Sequence, residues 1–302
     1  MKARILLTAL ALALPLAGAK AQWPNPPAGL ISWWRGEGNT TDETGAHPGA
    51  AVGGLTFAPG RVGQAFVLNG QNAAVALGNW FDLQQFTISL WVKAEASQVQ
   101  YADILDNVHS DNRSWVIQYS NLSDATRTWW HWGTSIPSGS GPMTFVLTNG
   151  IWQHWVVTLG ADRGHHLYLD GKLCVATTNT AAIPYDGTQY FNLGKHQIYG
   201  RYFNGMVDEL MVFDHALDPA EVLSIYVGQG GRPTLNIRSQ SSAVVLSWPA
   251  SAEGWLLHAT TNLVTGGSVW TEIPPAYQTN GANLQFTELL SVGNKFYRLH
   301  KP

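Results

Sequence analysis

Short runs of alternating apolar and polar residues, separated by glycine, asparagine and aspartate, extend from residue 30 to about residue 226. The run FTISLWVKA at 86–94 alternates with the period of a β-strand, and runs at 152–160 and 165–178 follow the same pattern. Asp170-Gly171 and Asn69-Gly70 each predict a two-residue hairpin turn. This pattern predicts an all-β domain.

One later stretch, DPAEVLSIYV at 218–227, predicts a helix instead, with Asp218 as its N-cap and Pro219 at its first position. The glycine-rich GQGGRP follows, and strand-like runs then resume. The chain is therefore expected to contain a proline-rich linker at 22–28, a first β domain at 29–228, a hinge at 229–233 and a small β-sandwich domain at 234–302.

The first 21 residues have the features of a secretory signal peptide. Residues 1–21 combine a basic start, an apolar run and the small-x-small pattern Ala19-Lys20-Ala21. The apolar run is too short to span a bilayer, and no later run predicts a membrane helix. We therefore expect export to the periplasm or the extracellular space, with no membrane span in the mature chain.

Charge and cysteine content narrow the possible partners. Hydrophobic residues make up 45% of the chain and charged residues 12%, which is typical of a folded protein. Removal of residues 1–21 takes three of the 17 basic residues and none of the 20 acidic ones, which leaves a net charge of −6. No basic run favours nucleic acid. The single cysteine, Cys174, excludes an intrachain disulfide and is expected to be a buried apolar residue.

Several motifs resemble a known family. Four stretches follow one another in an order that resembles the laminin-G-like domains of the concanavalin A-like lectin/glucanase superfamily. They are LISWWRGEGNTTDETGAHPGAAVGGLTFAPGRVGQAFVLNG, FTISLWVKA, WQHWVVTLGADRGHHLYLDGK and YFNGMVDELMVFDHALDPAEV. The resemblance spans roughly residues 29–228 and implies a jelly-roll sandwich of two antiparallel sheets. Members bind glycans, proteins or no known ligand, and commonly hold calcium. The tail, ending in KFYRL, is similar to fibronectin-like β modules of exported bacterial proteins.

The run at 203–213 carries Asp208 and Glu209 among apolar neighbours, on opposite faces by strand alternation. A buried carboxylate without a partner is costly, and calcium prefers oxygen ligands. The resemblance places Asp208 at a calcium-binding position, with backbone carbonyls near Gly36 and Glu37 and at Asn69 or Gly70. Asp42 is a further oxygen donor. The predicted ligands of a structural calcium are therefore Asp208, Glu37, Asp42, Asn69 and Gly70. Alternatively, Asp208 pairs with Arg61 or with backbone N–H groups, and Asp42 forms only a turn.

The aromatic stretch RTWWHWG at 127–133 suggests a ligand-binding surface. As a strand it places Trp129 and His131 on one face and Trp130 on the other, so we expect Trp129 or Trp130 to be exposed on the concave sheet. Sugar rings stack on exposed aromatic side chains, and polar neighbours orient them. The predicted ligand-binding residues are Trp129, Trp130, His131, Trp115, Tyr119 and Tyr199. Alternatively, these aromatic residues fill the core.

Motifs that would indicate catalysis are missing from the sequence. The E-x-D-x-x-E strand of laminarinase-like hydrolases is absent, and Asp103, Asp106 and Asp111 have the spacing of a loop. The chain also lacks G-x-S-x-G and H-E-x-x-H. We therefore predict a non-catalytic binding protein whose partner is a polysaccharide or glycoprotein. The alternatives are a cell-surface adhesion module that binds another protein, and an unrecognised glycoside hydrolase.

Overall fold

The computed structural model describes a defined set of residues, which are 26–108, 114–120, 127–133, 143–178, 182–231, 233–250, 252, 254–264, 267–281, 283–290 and 293–301. For Ser120 and for residues 127–133 and 143–146 it describes the backbone alone. The predicted signal peptide at 1–21 and the first four residues of the predicted linker lie outside these ranges.

The first module is built from strands followed by one helix. In chain order its elements are β1 (Leu30–Trp34), β2 (Ala50–Val52), β3 (Thr56–Pro59), β4 (Gln64–Asn69), β5 (Ala74–Gly78), β6 (Phe86–Ala94), β7 (Ala102–Val108), β8 (Ser114–Ser120), β9 (Arg127–Gly133), β10 (Met143–Val146), β11 (Gln153–Leu159), β12 (Gly164–Leu169), β13 (Lys172–Thr178), β14 (Tyr190–Leu193), β15 (Asn204–Phe213) and α1 (Pro219–Gly228).

Within the described residues these strands form two antiparallel sheets. The eight-stranded sheet has the order β13-β12-β11-β6-β15-β4-β3, with β1 also paired to β15. The seven-stranded sheet has the order β10-β9-β8-β7-β14-β5-β2. Consecutive strands often belong to different sheets, because the chain crosses repeatedly between the two layers, as in a jelly roll. The predicted all-β sandwich is therefore confirmed.

The main core lies between the two sheets. Alternate residues of β6, including Ile88 and Leu90, face alternate residues of β8, including Ile117. Aromatic residues fill the layer, and Trp34 contacts Phe191 edge to face at 6.0 Å between ring centroids. Burial of a large apolar side chain contributes about 1.5–3 kcal/mol, so this layer is the main source of stability for the first module.

The turns agree only in part with the hairpin predictions. Asp170 and Gly171 adopt φ of +50° and +74° and join the paired strands β12 and β13, which confirms that hairpin. Asn69 and Gly70 instead lead from β4 in one sheet to β5 in the other, so the second hairpin prediction is wrong. Cys174 is exposed rather than buried, because β13 is an edge strand of the eight-stranded sheet.

Helix α1 forms where the sequence predicted it. The Asp218 carboxylate accepts hydrogen bonds from the backbone N–H groups of Ala220 and Glu221, and the Glu221 carboxylate accepts one from the Asp218 N–H. Such a capping box satisfies donors that the first helical turn leaves free. Val222 packs on the outer face of the eight-stranded sheet, whereas Val227 belongs to the core of the second module.

The residues that follow the helix form hydrogen bonds to the eight-stranded sheet and to α1. Gln229 is buried, accepts a hydrogen bond from Trp91 Nε1 at 2.8 Å, and donates to the Glu209 carboxylate at 3.4 Å. The Gly231 N–H donates to the carbonyl of Tyr226 at 2.8 Å. Buried hydrogen bonds therefore join Gln229 to the eight-stranded sheet, and the hinge at 229–233 stays a prediction.

The second module is also a two-layer β structure. Its strands are β16 (Asn236–Gln240), β17 (Ala243–Pro249), β18 (Leu256–Thr260), β19 (Thr271–Glu272), β20 (Gln278–Asn280), β21 (Asn283–Leu289) and β22 (Phe296–His300). They form the sheets β16-β17-β21-β20 and β19-β18-β22, which enclose Leu246, Trp248 and Leu257. In the described part of the chain, no helix has the length and apolar character needed to cross a membrane.

Candidate functional site

A β-bulge in β7 places two carboxyl groups on the outer face of the seven-stranded sheet. Asp103 pairs with Gln118 and Asp106 pairs with Val116. The two aspartates are three positions apart on β7, whereas their partners are two positions apart on β8. The additional residue on β7 brings Asp103 and Asp106 to the same face. The sequence had suggested a loop here, and the regular strand period would have placed these side chains on opposite faces.

Both carboxyl groups are buried and hydrogen-bonded. Asp103 accepts a bond from the Gln118 side chain at 2.7 Å. Asp106 accepts one from the Asn192 side chain at 2.8 Å and one from the Gln197 N–H at 2.6 Å. Burial, reinforced by the Asp106 charge, raises the pKa of Asp103 well above its usual range. Burial also raises the pKa of Asp106 to about 8. The pair is therefore less negative at neutral pH than two ordinary carboxylates.

His196 completes this buried group. Its Nε2 lies 3.7 Å from the Asp103 carboxyl, and burial lowers its pKa to about 4. Its Nδ1 accepts hydrogen bonds from the N–H groups of Ile198 and Tyr199, which assigns the proton of the neutral ring to Nε2. His196 is therefore a neutral group that holds its own loop against β7.

The same three groups lie close enough together to suggest a metal site. Asp103, Asp106 and His196 offer ligand atoms within 4.8 Å of one another. A cation at Nε2 would displace the ring proton while Nδ1 still faces two N–H donors. Metal-bound histidines normally donate a hydrogen bond from their second nitrogen. The geometry therefore favours a hydrogen-bonded anchor over a metal centre.

A shallow cleft lies beside this anchor on the same sheet. It encloses about 340 Å³ and is lined by Ala76, Gly78, Asn79, Tyr190, Phe191 and Asn192. Tyr190 is 49% exposed, and the small side chains of β5 leave room for a ligand to approach the sheet. Asn192 joins the cleft to the adjacent loop, because its amide also donates to the Gln197 side chain at 3.2 Å.

The predicted ligand-binding aromatic residues differ in their positions and their exposure in the structure. Trp115 and Tyr119 lie in the core between the sheets, so their predicted contact with a ligand is wrong. Tyr199 is 52% exposed beside the cleft region. The side chains of Trp129, Trp130 and His131 lie outside the described residues, although their strand β9 pairs Trp129 with Gln118 and His131 with Val116. The sequence analysis did not identify Tyr190, because no run of aromatic residues at strand spacing surrounds it.

A second bulge explains how Asp208 and Glu209 leave the core. The register of β15 on β6 shifts between Asp208 and Met211, and Glu209 adopts φ of +53°. The neighbours Val207 and Leu210 face the core, whereas both carboxyl groups are directed to its outside. The predicted placement on opposite faces is therefore wrong, because the additional residue changes the alternation.

The two carboxyl groups have separate partners. Glu209 accepts hydrogen bonds from Trp33 Nε1 at 2.7 Å and from Arg35 Nε at 3.2 Å. Burial nevertheless raises the pKa of Glu209 to about 7. Asp208 Oδ2 accepts a bond from the Val62 N–H at 2.8 Å, while its Oδ1 is buried with no hydrogen-bond partner in the described structure. Burial raises the pKa of Asp208 to about 8.

The register separates Asp208 from its predicted partners at the Asn69–Gly70 turn. Asn204 pairs with Asn69, and Asp208 lies four residues further along β15, which corresponds to about 13 Å. Asn69 and Gly70 are therefore wrong as joint ligands with Asp208. The turn that reaches Asp208 is at the opposite end of β4, at 60–63.

The remaining predicted ligands also have defined positions. Asp42 accepts bonds from the N–H groups of Trp33, Thr44 and His47, so it forms a turn, as its alternative interpretation held, and is not available to a metal. The Glu37 carboxylate accepts a bond from the Gln64 N–H at 3.3 Å, at the edge of the 60–63 turn. Asp208 and Glu37 therefore remain next to one turn, on either side of it.

The structure offers two groups that resemble hydrolytic sites in residue type. Asp103 and Asp106 share a strand face, yet both are fully buried beneath a loop and inaccessible to substrate. Ser32 Oγ and the Asp42 carboxylate lie 2.7 and 4.0 Å from His47, but both approach the same nitrogen, Nδ1. A catalytic triad needs its serine and its carboxylate on different ring nitrogens. Neither arrangement supports hydrolysis.

Comparison with known proteins supports this fold assignment. The Laminin_G_3 family model, described as the concanavalin A-like lectin/glucanases superfamily, matches residues 69–223, about half of the chain. Comparison with curated proteins gives no match.

Solved structures with similar folds include a domain of an arabinanase and the binding domain of a neurotoxin. Domain 4 of AbnA, a GH43 extracellular arabinanase from Geobacillus stearothermophilus in complex with arabinotriose, is 22% identical over 65% of this chain and 98% of its own, with a TM-score of 0.54. The binding domain of botulinum neurotoxin DC in complex with rat synaptotagmin II is 12% identical over 89% and 73%, with a TM-score of 0.56. The binding domain of botulinum neurotoxin DC in complex with SialylT is 12% identical over 86% of this chain and 81% of its own, with a TM-score of 0.55. At these identities the likeness shows the fold alone.

Proposed function

Because the chain belongs to the concanavalin A-like lectin/glucanases superfamily, we propose that it is a non-catalytic binding protein for a carbohydrate or glycoconjugate. The cleft beside Tyr190 carries this proposal. Its floor is formed by small residues such as Ala76 and Gly78, its wall is an exposed aromatic ring, and Asn79 and Asn192 provide amide groups. A sugar ring stacks its C–H face on such a ring while amides bind its hydroxyl groups.

The ligands of the structural neighbours are consistent with this class of partner. The AbnA domain is bound to arabinotriose and the neurotoxin domain to SialylT, whereas the same neurotoxin domain also binds rat synaptotagmin II. A glycoconjugate such as a glycoprotein presents both a glycan and a protein surface. Export of the protein, proposed from residues 1–21, would give it access to such partners outside the cytoplasm.

Affinity electrophoresis against a panel of polysaccharides tests the proposal. Retardation of the wild type by at least one polysaccharide, and its loss in Tyr190→Ala, is the expected result. Leu173→Ala is the matched control, because Leu173 is equally exposed but lies on the edge of the other sheet. Trp129→Ala and Trp130→Ala test whether β9 extends the binding face. Equal migration of wild type and Tyr190→Ala across the panel would reject the cleft, and release of reducing sugar would show hydrolysis instead.

We also propose that a structural calcium, if this chain holds one as its family commonly does, uses Asp208 and Glu37 at the 60–63 turn. Within the part of the chain that the structure describes, the buried Asp208 Oδ1 has no hydrogen-bond partner, and a Cβ at position 60 would lie 2.5 Å from Asp208 Oδ2. Calcium supplies positive charge that two nearby carboxylates share. These residues would then join the end of β1 to β15 and to the turn between β3 and β4. A gain in stability from calcium that Asp208→Asn abolishes tests this site.

A further inference from the structure

A closed loop stands on the outer face of the seven-stranded sheet, at 194–203. Its ends meet through a hydrogen bond from the Phe203 N–H to the Gly194 carbonyl at 3.0 Å. The Gly194 N–H donates to the Ile104 carbonyl at 2.8 Å, and the Asp103 N–H donates to the Arg201 carbonyl at 3.1 Å. Because both ends are fixed to β7, the loop has a defined position before any ligand arrives.

The side of the loop that faces the sheet is fixed as well. His196 lies against Asp103, and the Gln197 N–H donates to Asp106 at 2.6 Å. The opposite side carries Tyr199, whose ring is tilted by 40° against that of His196, with 4.8 Å between the ring centroids. The buried anchor therefore orients an exposed aromatic ring.

Arg201 lies between two tyrosine rings, a group that we call the Arg201 platform: Tyr101, Tyr199 and Arg201. The guanidinium carbon is 4.4 Å from the Tyr199 ring centroid and 5.1 Å from that of Tyr101. Aromatic rings that stack on a guanidinium cover its flat faces. The N–H groups at its edge then remain available to donate hydrogen bonds to planar acceptors. Among the described residues, the Arg201 side chain donates no hydrogen bond and forms no salt bridge.

The charges around the platform leave Arg201 incompletely neutralised. The loop carries Lys195 and Arg201 but no acidic residue, although the whole chain has a net charge of −3. Asp103 lies below the loop, and burial together with the Asp106 charge raises its pKa well above the usual range. Burial therefore makes the charged form of Asp103 less favourable, and this carboxyl neutralises the arginine less than an exposed carboxylate would.

From this geometry we propose that the Arg201 platform binds a negatively charged group on a saccharide, either a uronate carboxylate or a sulfate ester. The proposal rests on the carbohydrate-binding function proposed above and narrows its ligand class to acidic glycans. A guanidinium donates two parallel hydrogen bonds to a carboxylate or a sulfate. The exposed edge of Tyr199 contacts the adjoining sugar ring. Asn192 lines the cleft beside Tyr190 and donates a hydrogen bond to Gln197 of the same loop, so this cleft is the place for the next sugar unit.

Pairs of glycans that differ only in charge provide the test. Binding of the full mature chain is measured by isothermal titration calorimetry with oligogalacturonate and its methyl ester, and with sulfated and unsulfated dextran oligomers. We expect binding to at least one charged member of these pairs and at least tenfold weaker binding to its neutral counterpart. The carboxylate and sulfate arms distinguish the two sources of negative charge.

Three variants separate the platform from general electrostatic attraction. Arg201→Lys retains the charge but loses the planar fork, so the affinity for the charged ligand should fall about tenfold. Arg201→Gln should lose more. Arg238→Gln makes the same change of charge on an exposed arginine of the second module and should retain wild-type affinity. Circular dichroism confirms that each variant is folded.

The outcomes decide between this inference and the broader function. Equal binding of charged and neutral partners, or full affinity in Arg201→Gln, overturns the platform while the carbohydrate function stands. If no saccharide in either this test or the panel binds, the proposed function fails. Binding to poly-glutamate that equals binding to the charged glycans also overturns the inference, because it would show attraction to any polyanion.

Discussion

Asp208 allows a quantitative test of how a buried carboxylate affects this fold. The pKa of its carboxyl rises from 3.8 to about 8 because burial disfavours the charged form. At about 1.4 kcal/mol per pKa unit, the charged form is disfavoured by roughly 6 kcal/mol in the folded state. Asp208→Asn removes this charge and retains an oxygen that can accept the Val62 N–H. Burial of the unpaired amide costs about 1–3 kcal/mol, so the net gain should be about 3 kcal/mol.

The sign of the pH dependence follows from the raised pKa. Below about pH 3.8 the group is protonated in both the folded and unfolded states and causes no penalty. As the pH rises towards 8, the unfolded state loses its proton first, so the wild type loses stability. Asp208→Asn should therefore be nearly neutral at pH 4.5 and stabilising at pH 8.5. Urea denaturation with a chelator present measures both, and Asp82→Asn, on the surface, is the control.

Calcium gives the same experiment a second arm. An ion at about 100 times its dissociation constant stabilises the folded state by about 2.7 kcal/mol. If Asp208 holds the ion, this gain should occur in the wild type and disappear in Asp208→Asn. An Asp208→Asn variant that is less stable than the wild type at pH 8.5 in chelator would refute the burial argument. A calcium gain that is equal in both proteins would remove Asp208 from the proposed site.

Three further measurements test other features. Asp218→Ala removes the helix cap and should lower the free energy of unfolding by about 1 kcal/mol in urea denaturation; an unchanged value would contradict the role of the capping box. Arg35→Met leaves Glu209 without its cation and should destabilise by about 3 kcal/mol at pH 8.5 but less at pH 5, where the carboxyl is protonated; equal losses at both pH values would contradict this pairing. Gly53→Ala should lower the thermal midpoint more than Gly187→Ala, because both have positive φ but only the first would place a Cβ 2.1 Å from a backbone oxygen; equal shifts would refute the steric argument.

The local signals in the sequence predicted much of the fold. Three of these signals depend on residues within a few positions of one another: the alternation in β6, the Asp-Gly turn between β12 and β13, and the cap of α1. Such interactions can be read without knowing the rest of the chain. The family motifs extended this interpretation to the jelly-roll sandwich, which the sheet order confirms.

The candidate site could be predicted only in part. Tyr199 was identified from its aromatic character and is exposed, whereas Trp115 has the same character and is buried in the core. A side chain of this kind suits a core and a sugar site equally well, and burial depends on which strands cover it. Tyr190 and Arg201 carry the present proposals, yet neither stands in a motif that marks it.

The sequence by itself determined the strand period, the capped helix and the all-β class, because each follows from short-range backbone preferences. Only the tertiary structure decided which faces the acidic residues occupy. One additional residue in β7 brings Asp103 and Asp106 together, and another in β15 directs Asp208 and Glu209 out of the core. A bulge is defined by the register of one strand against its partner strand. The sheet face of these side chains therefore depends on how β7 pairs with β8 and how β15 pairs with β6, which short-range sequence patterns do not determine.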